Sequence, residues 1–315
     1  MKRKIPEKLY KYRSFNDENC FFKVDPISGE VSYSDFGLDG LSKGKIWFSH
    51  LDKLNDPYES EYDFDYSNYL SDLKLYLSSL PKDSVSRRKL NKKIAEKKRN
   101  GWSDRRIIRE MESKSPDGGI KTQLNNFIKE LRNDKFSKVG SLSLCEDNDN
   151  LLMWAYYAKD HKGYCLEFSR DKKHKYYKSL FVAGKTFPVV YDDKHYKMED
   201  LHPFYSSMKK DKKKDAMEME HVMKKVYCHK SCSWMHEKEW RVIEEIKKEK
   251  KSPDAPGALI KFPGRLTAVY FGARCSEDCI AALKKAVKKG AYGYTTEFYQ
   301  AKLCTNKFGL KFEKI

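Results

Sequence analysis

The chain has 315 residues, with 64 Lys and Arg against 46 Asp and Glu, a formal charge of +18. Apolar residues make up 39% and aromatics 14%, which excludes a membrane-embedded protein and a largely disordered one, because disordered chains are poor in aromatics. What remains is a globular core beneath a Lys-rich surface, long enough to bury that core without disulfide staples.

Leu9–Arg13 alternates and is aromatic, the pattern of a short strand. Gly40 and Gly44 bracket a short helical turn, and Lys45–Ser49 reads as the second strand. Asn55-Asp56-Pro57 is a turn signal, since Pro pre-sets φ and Asn or Asp side chains bond nearby backbone. Residues 64–136 read as helices. Tyr69, Leu73, Tyr76 and Leu80 share one apolar face before Pro81, Lys89–Glu112 is a charged helical stretch broken at Asn100-Gly101, and Ile120–Leu131 is a third helix. This block is a basic helical insertion within a single α+β domain spanning residues 1–315.

Val139–Cys145 alternates as a strand, and Asp147–Asn150 can cap a helix over Leu151–Asp160. Strands follow at Gly163–Phe168 and Phe187–Tyr191. Residues 206–230 carry Lys and Glu at helical spacing and predict a long surface helix. Glu239–Ile243, Leu259–Phe262 and Leu266–Phe271 read as strands, Cys275–Lys289 as a helix ending at Gly290, and Thr295–Phe312 as two more short strands. Strands and helices do not alternate one for one. The expected fold is therefore α+β, a mixed, largely antiparallel split sheet flanked by helices.

The basic start Met1-Lys-Arg-Lys has no apolar stretch behind it, unlike a secretory signal. The best apolar runs, Leu151–Ala158 and Leu266–Ala273, fall far short of the ~20 residues of a membrane span. The expectation is a cytoplasmic protein with reduced thiols and no membrane partner. Basic residues cluster between positions 82 and 112, among them Arg87, Arg88, Lys92, Lys93, Lys97, Arg105 and Arg106. Together with the net charge they point to RNA or DNA as a partner through counterion release. The plain alternative is a solvated helix face.

The most specific features are five ordered blocks: LYKYRS from Leu9, GKIWFSHLDKLNDPYE from Gly44, LSLCEDNDNLLMWAYYAKDHKGYCLEF from Leu142, EKEWR from Glu237 and LTAVYFGARC from Leu266. In these blocks the chain resembles domain-of-unknown-function family 2971, found in bacteria and phages. A second resemblance is to the ADP-ribosyltransferases, which bind NAD in a split sheet. They use an Arg or His on an early strand, a Ser or aromatic on the next and a Glu on a later one. Arg13, Ser49 and Glu239 fall in that order. The departures are that Arg13 is followed by Ser14-Phe15, and that the usual Ser-Thr-Ser reads Phe48-Ser49-His50, so Tyr156 or Tyr157 is an alternative to Ser49.

This second resemblance implies a toxin or phage-defence effector that takes NAD as substrate and modifies nucleic acid or protein, with an antitoxin or defence-system partner. Breaking the nicotinamide–ribose bond builds oxocarbenium-like charge on the sugar, which a fixed carboxylate such as Glu239 stabilises. Arg13 would clamp the pyrophosphate. Tyr12, Trp47, Trp154 and Tyr157 would offer ring faces, with Asn55, Asp56 and Arg241 as further cofactor contacts. Structural readings stand beside these: Glu239 and Arg241 share a strand face and can form an ion pair, Arg13 can pair with Asp56 or Glu59, and the tryptophans can be core. A non-catalytic nucleic-acid-binding module and a metal-dependent nuclease using Asp56, Glu59 and Glu239 are the other functional classes. Cys228, Cys232 and His236 recur at i, i+4 and i+8, one face of a helix, but lack the tight CxxC turn of a structural zinc site, and no metal is expected.

Overall fold

The alternation in the sequence becomes fourteen strands in the computed structural model, which describes residues 3–16, 22–24, 26, 31–33, 35–56, 84–114, 139–170, 185–194, 227–246, 255–290 and 295–315. They are β1 (Lys8–Arg13), β2 (Phe22–Val24), β3 (Val31–Tyr33), β4 (Lys45–His50), β5 (Val139–Cys145), β6 (Tyr164–Ser169) and β7 (Thr186–Pro188). β8 (Val190–Tyr191), β9 (His229–Lys230), β10 (Glu239–Glu245), β11 (Gly257–Lys261), β12 (Arg265–Phe271), β13 (Glu297–Leu303) and β14 (Leu310–Lys314) follow. The helices are α1 (Phe36–Ser42), α2 (Ser84–Arg99), α3 (Asp104–Ser113), α4 (Leu151–Tyr157) and α5 (Glu277–Lys289). The chain divides into two compact units, Met1–Ser60 with Lys138–Lys194 and Lys212–Ile315, and Glu61–Ser137 with His195–Asp211.

Ten strands of the first unit form one sheet in the order β11-β4-β5-β1-β6-β12-β13-β14, with β10 and β7 branching from β5. β12 and β13 run parallel, and the other neighbours in this sheet are antiparallel. The fold is therefore α+β with a mixed, mostly antiparallel sheet. Successive side chains point to opposite faces. Leu9, Phe48, Leu142, Leu144, Phe168, Trp240 and Val242 pack on one face with Leu38 and Leu41 of α1 and Leu283 and Val287 of α5. Tyr12, Cys145, Cys165 and Tyr270 cover the other with Met153 and Trp154 of α4. β6 lies between β1 and β12 and is buried along nearly its whole length. The Glu167 carboxylate survives there because Tyr270 Oη at 2.8 Å and Thr267 Oγ1 at 2.7 Å donate to it and Lys8 Nζ lies 2.9 Å away.

Three expectations change. The helix expected over 151–160 stops at Tyr157, because Lys159, Asp160 and His161 all adopt positive φ and turn the chain back toward β6. The strand expected over 187–191 divides at Val189: β7 pairs with β10, whereas β8 pairs in parallel with β9. Pro188 has no N–H to extend the ladder along β10 at its own position. The helix expected to run to residue 230 does not do so, since His229–Lys230 is a strand and Cys232–Glu237 a 3-10 helix. That removes the single helix face on which Cys228, Cys232 and His236 were to align. The helices expected over 64–81 and 120–131, and residues 206–226 of the long helix, lie outside the described residues. In the second unit the break at Asn100-Gly101 is present, Gly101 taking φ +75° between α2 and α3.

Candidate active site

β5 has two neighbours along one edge. Ser49 and His50 of β4 pair with Ser141 and Gly140 at its start, and Tyr10 of β1 pairs with Cys145 at its end. Between them β4 and β1 part, while the opposite edge of β5 stays paired to β10 from Val139 to Cys145. Gly140 permits the squeeze at the base of this fork: a Cβ there would sit 2.1 Å from Ile246 Cδ1 and 3.0 Å from Phe48 Cβ. The parting of the strands opens a cavity of about 280 Å3. Residues 10–14 of β1 and its end, Trp47 and Ser49 of β4, and Lys53–Asn55 line it, with Ser141, Ser143, Leu144 and Cys145 of β5. Met153 and Tyr157 of α4, Lys230, Glu237 and Glu239 complete the wall.

Seven of the residues singled out from the sequence thus meet at one cleft: Arg13, Ser49, Glu239, Tyr12, Trp47, Asn55 and Tyr157. Trp154 does not reach it. It is fully buried behind Tyr12, ring centroids 5.1 Å apart, and its Nε1 donates to the Asn148 carbonyl at 2.8 Å. Its indole belongs to the core and offers no face to a ligand. Asp56 is buried and is not part of the lining. Tyr156, the alternative to Ser49, points to solvent and is 63% exposed. Arg241 sits behind Glu239, donating from Nε to Oε1 at 2.8 Å, from Nη2 to Oε2 at 3.1 Å and from Nη1 to the Tyr227 carbonyl at 2.8 Å. The Glu239–Arg241 ion pair and the cleft wall therefore coexist. Glu59, the other expected partner of Arg13, lies outside the described residues.

The electrostatics follow from these partners. Burial favours the neutral form of Glu239, but Arg241 and Lys230, with hydrogen bonds from Arg241 and Ser143, outweigh it and hold the carboxyl down at about 2. Lys230 Nζ lies 2.7 Å from Glu237 Oε2 and 3.7 Å from Glu239 Oε2. Tyr157 Oη donates to Glu237 Oε1 at 2.5 Å. Burial, reinforced by the neighbouring Arg13, lowers Lys11 to about 8 against the pull of Glu239, Cys145 and Glu237. Burial pushes the Cys145 thiol up, far from a reactive thiolate.

Lys11, Ser141, Ser143, Lys230 and Glu237 belong to the cleft without having been singled out from the sequence. Signals for some were there. Lys11 is two residues from Arg13, the spacing of one strand face, Glu237 opens the EKEWR block, and Ser141 and Ser143 alternate polar positions in an otherwise apolar strand. Lys230 carried no such signal.

In the second unit, Lys92, Lys93, Arg105 and Arg106 are exposed on α2 and α3. Trp102 lies between Lys97 Nζ at 4.3 Å and the Arg106 guanidinium at 3.9 Å, and Lys97 also pairs with Glu110. Arg87 and Arg88 fall within α2, and their side chains are outside the described residues.

Over residues 153–242 the chain matches the model of the family described as "Protein of unknown function (DUF2971)". The match runs from α4 into β10, so it carries Tyr157, Lys230, Glu237 and Glu239 of the cleft, while Arg13 and Ser49 lie before it. No curated protein and no solved structure gives a significant match, and the comparisons lend no support to the likeness to ADP-ribosyltransferases. Among the described residues, no helix is long and apolar enough to cross a membrane.

Proposed function

We propose that the cleft binds NAD and transfers its ADP-ribose to an acceptor. The observation that carries this reading is the meeting of Arg13, Ser49 and Glu239, from three strands far apart in sequence, around one cavity at a fork in the sheet. The cavity, at about 280 Å3, is near the lower end of ligand pockets, roughly 300–1,000 Å3. It suits one nucleotide half, with the other extending through the mouth.

In this reading Glu239 supplies the negative charge. It remains ionised at neutral pH and lies in a water-poor wall, where charge acts strongly on a neighbouring cation. As the nicotinamide–ribose bond breaks, its electron pair leaves with nicotinamide and the sugar becomes oxocarbenium-like. The carboxylate stabilises that carbon until the acceptor attacks it. Arg13 holds the pyrophosphate, Ser49 bonds a ribose hydroxyl, and the rings of Trp47, Tyr12 and Tyr157 bound the nicotinamide space. Nucleic acid is the favoured acceptor class, given the exposed Lys92, Lys93, Arg105 and Arg106. The effector role in toxicity or phage defence belongs to this reading. The same exposed cations support the second reading, a non-catalytic nucleic-acid-binding module.

The test is incubation with NAD labelled in the ADP-ribose moiety, with RNA, DNA and protein acceptors. Transfer or NAD hydrolysis by the wild type, lost in Glu239→Gln and reduced at least about 100-fold in Ser49→Ala, is the expected result. A folded wild-type protein that neither transfers the label nor consumes NAD overturns the reading. Salt-sensitive RNA binding in that same protein would favour the second reading.

A further inference from the structure

Four cationic side chains line the cleft, Lys11, Arg13, Lys53 and Lys230, against two carboxylates. Those carboxylates are already committed: Glu237 to Lys230 and Tyr157, Glu239 to Arg241 behind the wall. Neither the Lys11 ammonium nor the Arg13 guanidinium makes a hydrogen bond or ion pair among the described residues. Lys11 feels Glu239 and Glu237 only at a distance, and two adjacent cations with no direct ion pair among the described residues are costly where water is scarce. Across the fork stands Ser141, 2% exposed, whose Oγ has no hydrogen-bond partner. Arg13 at the end of β1 and Ser141 of β5, itself paired with Ser49 of β4, line the same cavity. A buried hydroxyl left unsatisfied in the wall of a cavity is a position for a ligand oxygen.

We propose that Lys11, Arg13 and Ser141 form a pyrophosphate subsite in the cleft and that Lys11 makes it selective for phosphorylated over unphosphorylated nucleosides. This rests on the reading of the cleft as a dinucleotide site and adds the residues that recognise the charged part. Arg13 offers a planar fork of donors and Lys11 a point charge, a combination that matches a pyrophosphate diester bearing two negative charges. Ser141 donates a third hydrogen bond. Burial and the neighbouring Arg13 lower Lys11, and an anion bound beside it would offset both.

Calorimetric titration of the full chain with ADP-ribose, inorganic pyrophosphate and adenosine tests this. Lys11→Met is expected to weaken ADP-ribose and pyrophosphate at least about tenfold and leave adenosine unchanged. Lys11→Arg should recover most of the loss, and Ser141→Ala should give a smaller loss in the same two ligands. Wild-type affinity of Lys11→Met for ADP-ribose overturns the proposal, as does equal weakening of adenosine, which would mean general damage to the cleft. NAD consumption by the wild type, measured in parallel, separates the two ideas. Loss of pyrophosphate binding in Lys11→Met without any wild-type NAD turnover leaves the subsite standing and removes the transferase. Turnover with unchanged binding in Lys11→Met does the reverse.

Discussion

At the scale of single residues, Glu239 illustrates how a carboxylate can be almost fully buried and remain charged. The guanidinium of Arg241 grips both its oxygens and Lys230 stands within 4 Å. Its depressed pKa sets a sign for acid stability. A carboxyl held at about 2 in the fold, against ~4.3 when unfolded, stabilises the native state fully above the unfolded value, and that contribution is lost as pH falls toward 2. Urea unfolding of the wild type should therefore show a midpoint that declines between about pH 5 and pH 2. In Glu239→Gln that decline should be shallower. The same substitution leaves Arg241 and Lys230 without their full counter-charge, and a stability loss of about 3 kcal/mol at neutral pH is expected. An acid limb of equal slope in both proteins would mean that other carboxylates govern it. Because of that stability loss, Ser49→Ala is the cleaner probe of chemistry.

At the scale of elements, the short helix α4 carries more than its seven residues suggest. Its N-cap Asn150 accepts from Leu152 N at 3.0 Å and Met153 N at 3.3 Å, and its Nδ2 donates to the His236 carbonyl at 2.7 Å. One side chain thus starts the helix and ties it to the 3-10 helix that leads into Glu237 and Glu239. Asn150→Ala should cost about 1–2 kcal/mol by denaturant titration. Asn150→Asp keeps the acceptor for both amides but loses the donor to His236, so its cost should be smaller. A loss confined to the 3-10 tie would show as equal destabilisation by both. At the far end of α4, the three positive-φ residues bring the His161 carbonyl onto Arg274 N at 2.9 Å, and this turn packs so closely on Gly272 that a Cβ there would lie 2.0 Å from the same oxygen. The strands of β6 and β12 are locked together by that contact, which steadies the sheet beside β1.

At the scale of the whole molecule, the charge of +18 is carried in two different settings. Inside the cleft there are four cations, Lys11, Arg13, Lys53 and Lys230, of which Lys230 is buried and paired with Glu237. On α2 and α3 they are exposed and repeated, as suits a partner whose phosphates are regularly spaced. Replacing Lys92, Lys93 and Arg105 by Gln should lower affinity for single-stranded RNA. It should reduce the slope of log K against log salt by about 2, from roughly 0.7 per lost phosphate contact. ADP-ribose binding should be unchanged, since the residues lining the cleft belong to the first unit. A salt slope that does not move would place the nucleic-acid contact elsewhere.

Alternation along Leu9–Arg13, Val139–Cys145 and Glu239–Ile243 was enough to identify strands, and the Asx residues before α4 were enough to start that helix, because both signals depend on neighbours a few residues away. The same local logic brought Arg13, Ser49 and Glu239 into view as polar residues on strand segments. It could not separate Arg13 from Arg241, or Tyr157 from Trp154. Those distinctions depend on which strands border β5: β10 runs along one edge and supplies Arg241 as the partner of Glu239, whereas β1 and β4 diverge on the other edge and leave Arg13 at the opening. Strand periodicity states which face a side chain takes, but the neighbour it meets is set by pairing between segments more than 90 residues apart, as in Tyr10 with Cys145 or Ser49 with Ser141. The fork, and with it the cleft, exists only once those distant pairings close.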